Sequence, residues 1–162
     1  MTFFISIRLA YLNFFNFSER SSRAEYWWFQ LFSILALIFL MIIQSIVFGD
    51  IFDDIHNDTY DSNFYLFPDS FAILNFIPQI SIAARRLHDN NRSGWWQLIV
   101  LTGIGIIPLL YWLCKKGEIS SNKYGKNANW NQEFMRIDQM FKNKLIDKKE
   151  QIRLKKEITG DD

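Results

Sequence analysis

The sequence is poor in the residues that most site chemistry needs. It has one cysteine, Cys114, and two histidines, His56 and His88, in 162 residues. A single cysteine excludes an internal disulfide framework and a multi-cysteine zinc site, and two histidines exclude a His-rich metal centre. Charge is missing from two long stretches: no Asp, Glu, Lys or Arg falls between Trp27 and Phe48, or between Trp95 and Cys114. Basic residues are missing from 49–70, which carries Asp50, Asp53, Asp54, Asp58, Asp61 and Asp69. The net charge is only +1, which argues against a chain built to hold nucleic acid, and no nucleic-acid partner is expected.

What is present is apolar and aromatic. Phenylalanine occurs 16 times and tryptophan 6 times, in a length that suits one domain. The mean hydropathy of −0.03 reads as soluble only because charge and apolar residues are averaged together. Their segregation predicts an all-α polytopic membrane protein. Trp27–Phe48 is long enough, at about 33 Å, to cross a hydrocarbon core of about 30 Å. Trp27 and Trp28 stand where an aromatic belt belongs. Before it, Ser22 and Glu25 have the spacing of a capping box. A second span is expected over about 64–84, interrupted by Pro68 and Pro78. Asn75 and Gln79 share one face there and are expected to point into the bundle. A third is expected over 95–114, with Gly103, Gly105 and Pro108 in its middle.

The flanks are less regular. Residues 3–17 lack the basic start, unbroken apolar centre and cleavage site of a signal peptide. Phe4, Ile7, Tyr11, Phe14 and Phe15 recur at helical spacing, so the segment reads as an interfacial amphipathic helix or as a helix packed on the bundle. The membrane domain is expected over 1–128 and a charged helical tail over 129–162. In that tail Trp130, Phe134, Ile137, Phe141 and Leu145 predict an amphipathic helix running to about residue 158. The stripe would dock on the membrane interface or on a second copy, unless the tail is simply a solvated helix with intrahelical ion pairs.

Positive residues set the orientation. Arg8, Arg20 and Arg23 place the N-terminus in the cytoplasm, the acidic loop outside, and Arg85, Arg86 and Arg92 back in the cytoplasm. Three full spans then put the tail outside, although it begins with Lys115 and Lys116 and continues through Lys123 and Lys126. Either a basic tail crosses, or the second or third apolar segment folds back. Three spans are the expectation.

The most specific motif is Arg85-Arg86-Leu87-His88-Asp89, followed by Arg92-Ser93-Gly94-Trp95-Trp96. With Arg23-Ala24-Glu25-Tyr26-Trp27-Trp28-Phe29 and Asn122-Lys123-Tyr124-Gly125, it makes the chain resemble the bacterial inner-membrane family called domain of unknown function 805. The resemblance covers about residues 10–128. Glu19 and Ser120 stand where that family usually carries glycine. The resemblance implies a small multi-pass protein of the bacterial inner (plasma) membrane with no established activity.

Read from the residues, Arg20, Arg23, Glu25, Arg85, Arg86, His88, Asp89, Arg92, Trp95 and Trp96 gather at one membrane face. The arginines could hold lipid head groups, or a partner protein, through charge-assisted contacts. Alternatively they pair with the acids, and Arg85 or Arg86 with Glu25 would clamp span one to span two. His88-Asp89 invites a catalytic or metal reading, but no nucleophile or second histidine accompanies it, so a satisfied interfacial histidine is expected. The acidic loop fails the EF-hand spacing and reads as solvated. Cys114 reads as a packing residue, with acylation supported only by its position. No metal, cofactor or enzymatic activity is expected. The sequence therefore reads as a non-enzymatic membrane protein that binds lipids, with a membrane partner protein or homo-oligomer open. The alternative is an oligomeric transporter or channel subunit with Asn75, Gln79 and the Gly103–Gly105 kink along its path.

Overall fold

A computed structural model describes residues 2–55, 66–126 and 128–159. The rest of the acidic loop, residues 56–65 with His56, lies outside them. The described chain is helical: α1 Phe3–Leu12, α2 Arg23–Ile55, α3 Leu66–His88, a 3₁₀ arm Gly94–Thr102, α4 Ile106–Cys114, α5 Trp130–Lys142 and α6 Lys148–Thr159.

Two helices are long and apolar enough to cross a membrane, Arg23–Val47 within α2 and α3. α2 starts where the capping box predicts: Ser22 Oγ accepts the Glu25 N–H at 3.1 Å. It continues past Phe48 to Ile55, so the first aspartates of the acidic loop are helical. Extending an existing helix costs far less than nucleating one. α3 begins at Leu66 and runs unbroken to His88 despite its prolines. Pro68 sits in the first turn, where backbone N–H groups have no intrahelical acceptor. Gln44 of α2 accepts one of those N–H groups, from Phe67, at 3.0 Å.

α1 packs on the N-terminal part of α2 and on α3. Its small residues Ser6 and Ala10 are buried, while Phe4, Leu12 and the following Phe15 face outward. Tyr11 lies edge-on to Phe29 at 5.8 Å and donates to Asn75 Oδ1 at 2.6 Å. The buried apolar cluster, including Tyr26, Phe29, Ile82, Leu87, Leu109 and Leu113, gathers at this same end. Most of α2 further in is left uncovered by the rest of the chain, with Ile34, Leu35, Ile38, Phe39 and Ile42 exposed.

The segment 95–114 differs from the expected third span. It is a helical hairpin of two nine-residue arms. At about 2.0 and 1.5 Å per residue these reach roughly 18 and 14 Å, and neither crosses a core of about 30 Å. Gly103 turns the chain with φ 72°, in the left-handed region that favours glycine. At Gly105 the arms approach so closely that a Cβ would lie 2.0 Å from the Ile99 carbonyl oxygen. The two ends meet again: Trp96 and Trp112 pack edge-on at 5.4 Å, and the Arg92 guanidinium lies 4.0 Å above the Trp112 ring. Hydropathy misses this because twenty apolar residues have the same composition folded back or extended.

The tail also departs from expectation. The helix expected over 130–158 is two helices that pack on each other, α5 and α6. Lys144 breaks the run with φ 57°. Asp147 then caps α6, accepting the Glu150 N–H at 2.7 Å. Ile137 and Ile158 become buried, whereas Phe141 and Leu145 of the stripe remain exposed.

Candidate functional site

The site is built where α3 ends. Arg85, Arg86 and His88 occupy the last turn of α3, and Asp89 follows it. Arg20, from the segment between α1 and α2, and Glu25, in the first turn of α2, meet them there. The three arginine side chains are 0–2% exposed.

Asp89 is the centre. Arg20 donates from Nε and Nη2 to its Oδ1 at 3.0 and 2.9 Å, and Arg86 donates from Nη1 to its Oδ2 at 2.5 Å. Burial pushes the Asp89 carboxyl up, and the Arg20 and Arg86 guanidinium groups pull against that shift. Arg85 instead binds Glu25, Nη1 to Oε1 at 3.0 Å, and so clamps α3 to the start of α2.

Further donors of Arg86, Arg23 and Arg20 go to backbone carbonyls, whereas Arg85 Nε and Nη2 are buried without partners. Arg86 Nε donates to Leu113 O at 3.0 Å, and its Nη2 to Lys115 O. Asn90 donates to Trp112 O at 2.9 Å, and Arg23 reaches Cys114 O at 3.4 Å. Residues 112–115 are the carbonyls that the C-terminus of α4 leaves without intrahelical partners. All four take a side-chain donor from the arginine motifs. Arg20 does the same for the next segment, donating to the carbonyls of Glu118, Ser120 and Gly125. Three buried guanidinium groups face two carboxylates, and the carbonyl ends of α3 and α4 supply the missing negative potential.

His88 is satisfied on every side. Its Nδ1 lies 3.2 Å from Glu19 O, its Nε2 accepts the Gly94 N–H at 3.3 Å, and Tyr124 stacks on its ring at 3.7 Å. A neutral ring with the proton on Nδ1 fits both contacts. Neither nitrogen is left for a metal or for proton transfer. Among the described residues, no group of three or more His, Cys, Asp or Glu side chains is placed to hold a metal ion.

The motif thus divides in two. Arg20, Glu25, Arg85, Arg86, His88 and Asp89 are buried together and do not face the lipid. Arg23, Trp95 and Trp96 lie on the exposed rim, with Trp95 79% exposed, and Arg92 stacks beside them on Trp112. Asn75 and Gln79, read as pore candidates, tie helices together: Asn75 holds Tyr11, and Gln79 accepts from Gln30 of α2 at 2.7 Å.

Four residues outside the expected site complete it. Asn122 donates to His88 O at 3.0 Å, Tyr124 covers the His88 ring, and Asn90 caps α4. Gly117 passes over Asp89, where a Cβ would lie 1.7 Å from Oδ2. The Asn122-Lys123-Tyr124-Gly125 motif was the available signal for two of them. Its place beside His88 follows only once the hairpin returns the chain to the same face.

The comparisons agree with this architecture. Residues 14–126, from just after α1 to the loop bearing Tyr124, match the family described as protein of unknown function (DUF805). The chain is 34% identical over 119 residues to the inner membrane protein YhaI of Escherichia coli strain K12, covering 73% of this chain and 90% of that protein. It is 31% identical over 119 residues to the inner membrane protein YhaH of the same strain, covering 70% and 87%. No solved structure matches it. Two helices long and apolar enough to cross a membrane and these matches together make the chain a bacterial inner-membrane protein that belongs to the DUF805 family.

Proposed function

We propose that the protein is a non-enzymatic membrane-interface protein whose cytoplasmic rim binds anionic phospholipid head groups. The buried arginines of the motif build the platform, and the exposed cations do the binding. One observation carries this reading. Among the described residues, Arg23, Arg92, Lys115, Lys116 and Lys123 have no acidic partner, although buried pairing is dense directly beneath them. Arg92 lies on Trp112, which packs on Trp96, and Lys123 lies on Tyr124, which lines one cavity with Trp95; tryptophan is the residue type that settles at the head-group level. The hairpin supports it further, because it returns the chain to the end of the bundle that holds the arginine motifs, where Lys115, Lys116 and Lys123 would meet the anionic lipid that attracts cations. The internal pairing of Asn75 and Gln79 speaks against a transport path through two helices.

The test uses the full-length protein in nanodiscs. Wild type should enrich phosphatidylglycerol over phosphatidylcholine, and the enrichment should fall with salt. Replacing Arg23, Arg92 and Lys116 together with glutamine should reduce it on the order of 100-fold, at about 1 kcal/mol for each cation near an anionic surface. Equal binding of both lipids by wild type, or unchanged enrichment in the triple variant, would refute the reading.

A further inference from the structure

A groove of about 580 Å³ runs along one face of α3. Its floor is Ile80, Ala84 and His88, which recur every four residues and so line up along the helix. One wall is Phe17, and the other is Trp95 and Leu98 of the 3₁₀ arm. Tyr124, stacked on His88, closes the cytoplasmic end. The axial length from His88 to Ile80 is about 12 Å, at 1.5 Å per residue. With the arginine end of α3 at the membrane surface, as the rim reading has it, the groove would start at the head-group level and descend toward the acyl region.

Three features identify its occupant. The deep end is apolar, whereas the polar side chains Ser93, His88 and Tyr124 gather at the shallow end. The shallow end also carries a cation, since Lys123 Nζ lies 4.9 Å from the Tyr124 ring centre. The deep end adjoins more apolar space: a second cavity, of about 480 Å³, shares Ile80, Gln97 and Leu98 with the first. Gln97 itself is turned inward and donates to Ile80 O and Gly94 O, so its amide does not interrupt the apolar path.

We propose that this groove seats one acyl chain of a cytoplasmic-leaflet phospholipid, with the phosphate beside Lys123. This rests on the lipid-binding reading of the rim and adds a defined place for the hydrocarbon. The volume is within the range of about 300–1,000 Å³ usual for small-molecule sites. Burial of methylenes along the groove makes retention depend on chain length, which a purely electrostatic rim does not.

The experiment is native mass spectrometry of the full-length protein in detergent, with phosphatidylglycerol carrying 16-carbon or 8-carbon chains. Wild type should retain one long-chain lipid at least about tenfold better than the short-chain one, the factor expected from roughly two further buried methylenes. Ile80→Trp and Leu98→Trp fill the groove from partly exposed positions and should each remove that preference. Leu74→Trp, on the exposed lipid side of the same helix, should keep it. Equal retention of both chain lengths by wild type would overturn the proposal. So would an unchanged preference in both groove variants, or a loss in Leu74→Trp as large as theirs. Loss of head-group selectivity with chain-length dependence intact would refute the rim and leave the groove standing.

Discussion

Arg86 donates its Nε–H to the carbonyl oxygen of Leu113 at 3.0 Å, although 27 residues separate them. Arg86 lies in the last turn of α3, and Leu113 in the last turn of the hairpin. Both ends of the charge-free stretch 95–114 are therefore on one face. With the positive-inside rule placing the arginine end in the cytoplasm, a tail leaving from that same end would put Lys115, Lys116, Lys123 and Lys126 in accord with the rule. A segment 95–114 that folds back as this hairpin does would remove the conflict in the sequence.

The two ion-pair sets should respond differently to substitution. Asp89→Asn leaves Arg20 and Arg86 buried without a carboxylate and should cost about 3–5 kcal/mol, read from denaturant unfolding in detergent. Arg85 is less well satisfied, because its Nε and Nη2 are buried without partners. Glu25→Leu alone should cost a similar 3–5 kcal/mol, and the double replacement Glu25→Leu with Arg85→Met should recover most of it. A double variant no more stable than Glu25→Leu would contradict the assignment of Arg85–Glu25 as an isolated pair.

The glycines should rank by what surrounds them. Gly103→Ala meets nothing within 4 Å and bears only its left-handed φ, about 1–2 kcal/mol. Gly105→Ala drives a Cβ into Ile99 backbone, and Gly117→Ala drives one into Asp89. Both should lower the melting temperature well beyond Gly103→Ala. An equal or reversed order would mean that neither the hairpin turn nor the Gly117 crossing is as close as described.

Much of this was legible in the residues. The charge-free run Trp27–Phe48 marks α2, and the Ser22–Glu25 spacing marks its start. Arg85 and Glu25 are natural partners once both collars share a face. The hairpin was not legible from hydropathy, since apolar composition fixes burial in lipid but not direction of travel. Its traces were Gly103 and Gly105 at the bend, and the lysines after it. The tail break was hidden for another reason. Asn143-Lys144 has no strong breaker composition, and only the pairing of α5 with α6 makes a turn there favourable.

The side of the membrane on which the tail lies tests the central claim most directly. In a Cys114→Ser background, Asn143→Cys places one thiol in the exposed turn between α5 and α6. Asn57→Cys places one in the acidic loop as the outside reference. The expected result with an impermeant thiol reagent is labelling of Asn57→Cys in intact cells, and of Asn143→Cys only after the inner membrane is permeabilised. Labelling of Asn143→Cys in intact cells, as strong as that of Asn57→Cys, would mean that residues 95–114 cross the bilayer and would contradict the re-entrant hairpin.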